Sequence, residues 1–189
     1  MPEQTVAETR RDALISPGIF ALALLVGSVK LGQFLTADEP RSWLGWSIEF
    51  ARALLNGRWG DTFFSFAPGV TVTWLGSAGL YLNYLFGGGQ AANFADFLAN
   101  LPFDPVDPAG IFWFRLPAVI VGAACAALTY PLARRTVGPK IALAGALLFT
   151  LDPLRIGMSR VLGTDGLAAA FMAVSTLSAL AFFLPAGTP

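Results

Sequence analysis

Between Arg115 and Arg134 the chain runs through "LPAVIVGAACAALTYPLA", 18 residues without a charge. A helix of about that length, rising 1.5 Å per residue, nearly crosses the roughly 30 Å of hydrocarbon in a bilayer. Inside lipid each backbone N–H and C=O needs a partner within the protein, so a spanning segment is a helix or part of a closed barrel. This run is apolar throughout, without the alternation of a barrel strand, and it predicts a helix. Composition agrees. Of 189 residues 55% are hydrophobic and 13% charged, against about 25% charged in soluble domains.

Four segments are predicted to span the membrane: about 15–35, 115–133, 141–158 and 166–184. The first carries Lys30 and Gln33 in its last turns, with Lys30 snorkelling to the interface or facing a protein interior. The third is interrupted by Asp152, Pro153 and Arg155. Asp152 and Arg155, three apart, read as a structural ion pair beside a Pro153 kink. Arg10 and Arg11 precede the first span, and no small-residue cleavage site follows it, so it reads as a retained anchor rather than a signal peptide.

Basic residues orient the spans. Arg134, Arg135 and Lys140 fill a short loop, and with Arg10 and Arg11 they belong on the cytoplasmic side. Both groups lie inside if a single span precedes Arg115. The apolar stretch from Pro68 to Phe86 is then a helix in or dipping into the outer interface, rich in Thr, Gly, Asn and Tyr, and residues 36–114 form one long external loop. All five tryptophans, Trp43, Trp46, Trp59, Trp74 and Trp113, fall in that loop, as befits a ring that prefers the membrane–water boundary.

Within the loop, Ser42 to Asn56 predicts a second interfacial helix. Trp43, Trp46, Phe50 and Leu54 recur at helical spacing with Leu44, Ile48 and Leu55 alongside, opposite Ser42, Gly45, Glu49, Arg52 and Asn56. Pro40 suits its first turn and Gly57 its stop. Residues 86–110, Gly-rich and then Pro/Asp-rich, read as a loop with turns, and Asp104 and Asp107 as solvated turn acids. The predicted fold is an all-α membrane protein: a cytoplasmic tail at 1–14, a membrane module over 15–184 with about four transmembrane helices and two interfacial ones, and a short end at 185–189.

Other chemistries are excluded by composition. Twelve basic and twelve acidic residues give zero net charge, so nothing points to nucleic acid. No histidine is present, which removes Ser-His-Asp triads and most zinc sites. Cys125 is the single cysteine, so no intrachain disulfide forms. What remains is a set of charges on the outer face. Asp38 and Glu39 follow the first span, Arg115 opens the second, and Arg160 and Asp165 lie in the turn between the third and fourth. Carboxylates act as general bases or hold metals. Arginines bind phosphate bidentately at fixed charge. Each has a plainer reading: Asp38 and Asp165 as helix N-caps, Arg115 and Arg160 as interfacial anchors.

The ordered set "ADEPRSW", "GRWGDTFFSFAPGVTVTWLG", "FRLPAVIVGAACAALTYPLARRTVG" and "LLFTLDPLRIGMSRVLGTDGLAAAF" resembles the membrane glycosyltransferases of the GT-C fold, among them protein O-mannosyltransferases and bacterial aminoarabinose transferases. The resemblance covers the chain from about residue 15 onward. It implies transfer of a sugar from a polyprenyl-phosphate donor to a protein or lipid acceptor, with inversion, on the outer face of the plasma (inner) membrane. By resemblance Asp38 is the base, Glu39 orients it or binds the acceptor, Asp165 fills the second acidic position, and Arg115 and Arg160 meet the donor phosphate. Related loops often place a basic residue or histidine before the proline that opens the second interfacial helix; Ala67 stands there. Protein mannosyltransferase relatives imply no metal and oligosaccharyltransferase relatives the reverse, in which case Asp38 and Asp165 would hold Mg²⁺ or Mn²⁺. Family members usually carry more spans, so the chain reads as the N-terminal part of a larger enzyme. Two readings compete: a transporter or flippase fragment with Lys30, Asp152 and Arg155 along its path, and a membrane scaffold whose acids are only caps.

Overall fold

In the computed structural model the protein is described over residues 2–63, 69–87, 91–101 and 108–184, with side chains from Leu14 onward. The described residues are helical, without strands. The elements are α1 (Pro2–Ser28), a π-helical turn (Glu39–Trp43), α2 (Leu44–Leu55), a 3₁₀ turn (Trp59–Thr62), α3 (Val70–Phe86), α4 (Phe94–Asn100), α5 (Pro108–Val137), α6 (Pro139–Leu151), α7 (Pro153–Ser159) and α8 (Thr164–Phe183). The chain is an all-α membrane protein. Among the described residues, α5 and α8 are long and apolar enough to cross a bilayer, and α6 with α7 makes a third if that pair, bent by 55°, is one span.

The first expected span ends sooner than the sequence implies. Apolar residues continue to Leu35, yet α1 stops at Ser28 because Lys30 turns into the left-handed region (φ 57°). Its apolar part, Leu14–Ser28, is a short helix of roughly 22 Å at the α-helical rise. Lys30 is exposed, so it does not face a protein interior. The second expected span is longer, since α5 has 30 residues.

Two compact units make up the chain. One comprises residues 1–27, 120–157 and 166–189. Its core is built from Ile19 and Ala23 of α1, Ala123, Ala126 and Tyr130 of α5, and Ala142 and Ala146 of α6. Alanines at these contacts let helix backbones approach closely, as membrane helices require. The hydroxyls of Thr129 and Thr150 donate to the carbonyls of Ala126 and Ala146, so each buried O–H is satisfied within its own helix.

Asp152 and Arg155 do not form the expected ion pair. Asp152 Oδ1 instead accepts the Arg155 backbone N–H at 2.7 Å, capping α7 where Pro153 breaks the helix. The Arg155 guanidinium donates to the Gly122 carbonyl at 2.8 Å and lies over the Phe149 ring. Helix α8 has 11% of its apolar stretch buried, against 56% for α5, and displays Phe171, Met172, Phe182 and Phe183 as surface suited to lipid chains.

The other unit, residues 28–119 and 158–165, contains the long loop. Helix α2 packs chiefly against α3. It buries Leu44, Ser47, Ile48, Phe50 and Ala51; of the expected apolar stripe Trp43 and Trp46 are half-buried, and Leu54 and Leu55 are exposed. Gly57 (φ 66°) stops α2 as expected. Helix α3 has 17 residues, roughly 25 Å, short of the ~30 Å of hydrocarbon. Among the described residues of 86–110, which the sequence predicts as loop, lie α4 and the first turn of α5. The start of α4 is capped by Asn93, which accepts the Asp96 N–H at 2.9 Å, and it buries Leu98 beside an aromatic cluster of Tyr81, Tyr84, Phe94 and Phe97. Ala67, Pro68, Asp104, Asp107 and the 185–189 end lie outside the described residues.

Glycines of α3 set the approach of α5. A Cβ at Gly79 would sit 2.6 Å from the Trp113 carbonyl oxygen and 2.7 Å from Phe114 Cα. Backbone on both sides cannot yield. Gly79→Ala is expected to cost about 1–3 kcal/mol, read as a lowered midpoint in thermal unfolding followed by tryptophan emission.

Candidate active site

Glu39 and Arg115 are 76 residues apart and meet completely buried, with 1% and 0% of their surfaces exposed. Arg115 Nε donates to Glu39 Oε1 at 2.7 Å and Nη2 to Oε2 at 2.6 Å, a bidentate pair. Three further donors complete the carboxylate. The Leu162 N–H reaches Oε1 at 2.8 Å, and the Thr36 hydroxyl and N–H reach Oε2 at 2.8 and 3.2 Å. Arg115 spends its remaining reach on the carbonyls of Leu31 and Phe34. One ion pair thereby ties the chain after α1, the start of α5 and the turn before α8.

Burial alone would push the Glu39 carboxyl up. The Arg115 and Leu162 hydrogen bonds, the Arg115 charge and the Thr36 bond outweigh it and hold the carboxyl below its ordinary value. No lone pair of Glu39 is left for an acceptor, and the guanidinium of Arg115 is sealed from any phosphate. Of the roles expected by resemblance, contact of Glu39 with the acceptor and of Arg115 with the donor phosphate do not match this burial, whereas an orienting role for Glu39 is compatible with it. Their geometry is that of a positioning clamp.

Asp38 is the opposite case. It occupies the N-cap position of the π-helical turn but makes no capping hydrogen bond, which corrects the plain cap reading. Its carboxylate is exposed and has no hydrogen-bond or ion-pair partner among the described residues. Asp165 is exposed too, inside the first turn of α8 rather than at its N-cap, and accepts the Thr164 hydroxyl at 3.2 Å. The α8 dipole favours an anion there.

Arg160 is half-buried. One Nη donates to the Val29 carbonyl, while its buried Nε has no partner among the described residues. The Phe34 ring lies beside both arginines, 4.8 Å from the Arg115 guanidinium and 5.8 Å from that of Arg160. All five expected site residues therefore belong to the same compact unit. Sequence reasoning missed Thr36, Phe34 and Leu162. Thr36, three residues before Glu39, was the one with a local signal. Among the described residues no group of three or more His, Cys, Asp or Glu side chains could hold a metal ion.

The model of the dolichyl-phosphate-mannose-protein mannosyltransferase family matches residues 80–188. The chain belongs to that family. As a member of the mannosyltransferase family it is a membrane glycosyltransferase of the kind that uses a lipid-linked sugar donor. The matched stretch includes Arg115, Arg160 and Asp165 and begins after Asp38 and Glu39. No curated protein and no solved structure matches the chain.

Proposed function

We propose that the protein transfers a hexosyl or pentosyl unit from a polyprenyl-phosphate donor to a hydroxyl or amine of a protein or lipid acceptor, on the outer face of the plasma membrane, inverting the anomeric centre. The observation that carries this reading is the contrast between two adjacent acids. Glu39 is locked by Arg115, whereas Asp38 beside it is exposed and has no partner among the described residues. A free carboxylate on a rigid turn is a general base placed where an acceptor reaches it.

Asp38 takes the acceptor proton, the acceptor atom bonds to the anomeric carbon, and the bond from that carbon to the phosphate oxygen breaks. The electron pair leaves with the polyprenyl phosphate, whose charge Arg160 meets. Glu39 and Arg115 hold the turn that carries Asp38. Asp165 lies on the opposing turn as a second acceptor-side carboxylate. A divalent cation, Mg²⁺ or Mn²⁺, would be held by Asp38 and Asp165, because these are the exposed carboxylates among the five candidate site residues. Rates with EDTA and with each cation assign that part.

The test uses the complete gene product in membranes with labelled polyprenyl-phosphate sugars. Expected is transfer with the product's anomeric configuration opposite to the donor's. Retention of configuration, or use of nucleotide sugars in place of the lipid donor, overturns the reading. An impermeant thiol reagent should label Ala37→Cys from outside in sealed cells, and labelling from inside alone removes the outer-face assignment.

A further inference from the structure

Trp43 closes the π-helical turn that begins at Glu39. Its side chain is half-buried, and its contacts lie on two other segments. A Cβ at Gly69, the residue before α3, would stand 2.6 Å from Trp43 Cη2, 2.7 Å from Cζ3 and 3.4 Å from Thr164 Cγ2. A Cβ at Gly163 would stand 3.8 Å from Trp43 Nε1. The indole thus lies where the start of α3 meets the turn Gly163–Asp165, and it is carried by the turn that Asp38 opens. The Trp43 carbonyl accepts the Ser47 hydroxyl at 2.6 Å, and Trp46 meets the ring edge-on, centroids 5.1 Å apart. Trp46 of α2 thus braces the ring, and the Ser47 bond the backbone that carries it.

We infer that Trp43 is a positioning residue, the spacer that fixes the Asp38-bearing turn against the Asp165-bearing turn, with Gly69 kept free of a side chain so that the indole can occupy that place. The inference rests on the transferase reading above and adds to it a residue that touches neither substrate nor reacting atoms. Two ties join these turns. One is polar, Leu162 N–H to Glu39. The other is the indole, which resists compression. A hydrogen bond sets the contact at one point and a flat ring sets the separation over its width. Misplacement of a catalytic group by about 1 Å costs on the order of 10²-fold in rate, so the spacer acts on kcat rather than on donor affinity.

The test is a suppressor pair on different elements. In the complete gene product in membranes, Gly69→Ala pushes a methyl group into Cη2 and Cζ3, and kcat is expected to fall at least tenfold with the KM for the lipid donor within about twofold. Phenylalanine lacks the outer part of the indole. Gly69→Ala/Trp43→Phe is therefore expected to recover much of the rate that Gly69→Ala loses. A double variant no faster than Gly69→Ala, or a Trp43→Ala with undiminished kcat, overturns the inference. A second measurement does not depend on turnover. Spin labels at Ala37→Cys and Val161→Cys in a Cys125→Ser background should give a narrow distance distribution that broadens in Trp43→Ala and Gly69→Ala. An unchanged distribution also overturns the spacer role. If the parent protein transfers no sugar from any polyprenyl phosphate, the transferase reading fails, and the distance measurement still decides the spacer.

Discussion

Glu39→Ala is expected to cost about 3–5 kcal/mol, the penalty for leaving a buried charge without its partner. Arg115 would keep two carbonyl acceptors and lose its carboxylate, with none of its surface open to water. A loss of that size is a large part of the 5–15 kcal/mol that holds a typical protein folded. Glu39→Gln is expected to be nearly as harmful. Five donors converge on the carboxylate, and an amide presents an N–H₂ where one oxygen accepted. Glu49→Gln is the control, because its pair with Arg52 is 2.7 Å long but half in solvent and contributes at most about 1 kcal/mol. Thermal unfolding in detergent reads both, with tryptophans that lie between residues 43 and 113 and so report on the unit containing the clamp. A Glu39→Ala midpoint within a degree or two of wild type would remove the clamp from the account.

The same pair sets an acid limit. The Glu39 carboxyl in the folded protein lies below its ordinary value of 4.5. A carboxyl depressed by folding contributes stability that is fully present above its unfolded value and is lost as pH falls through the folded one. Wild type should therefore lose stability below about pH 4.5, and Glu39→Gln, already without that contribution, should show a shallower loss over the same interval.

Asp38→Asn is expected to reduce transfer by about 10²–10⁴-fold, the usual worth of a general base, while leaving the melting temperature close to wild type. The two halves of this expectation have one cause. Asp38 caps nothing and is paired with nothing among the described residues, so neutralising it removes chemistry and little structure. Side by side, Glu39→Ala acts through the fold and Asp38→Asn through the reaction. Full activity in Asp38→Asn sinks the proposed base. An Asp38→Asn protein that is inactive and also unfolded would return Asp38 to a structural role.

Much of this was legible in the sequence because it is written locally. Length and apolarity marked α5 and α8. Pro153 marked the break in the third apolar segment, and Gly57 the end of α2. Residue types also brought Asp38, Glu39, Arg115, Arg160 and Asp165 onto one list. What the sequence did not carry was pairing. Nothing local says that Glu39 will spend both oxygens on a residue 76 positions away while Asp38, its neighbour, spends neither. The end of α1 was hidden for a related reason. Val29, Leu31, Phe34 and Leu35 keep the segment apolar, and the turn at Lys30 places the Leu31 and Phe34 carbonyls where Arg115 takes them. Helix α4 escaped notice because seven residues between Gly-rich and Pro-rich stretches show too few turns for a period to emerge.

The clamp also has a history in time. Glu39 leaves the ribosome 76 residues before Arg115 and 123 before Leu162. At about 5–20 residues per second the carboxylate waits roughly 6–25 s for its last donor. Closing so long a loop is also slow compared with winding a helix. The apolar helices can therefore form and insert while Glu39 and Arg115 are still hydrated charges. The clamp is completed only when the 160–165 turn arrives, and a chain stalled before that turn would carry α1 to α7 without it.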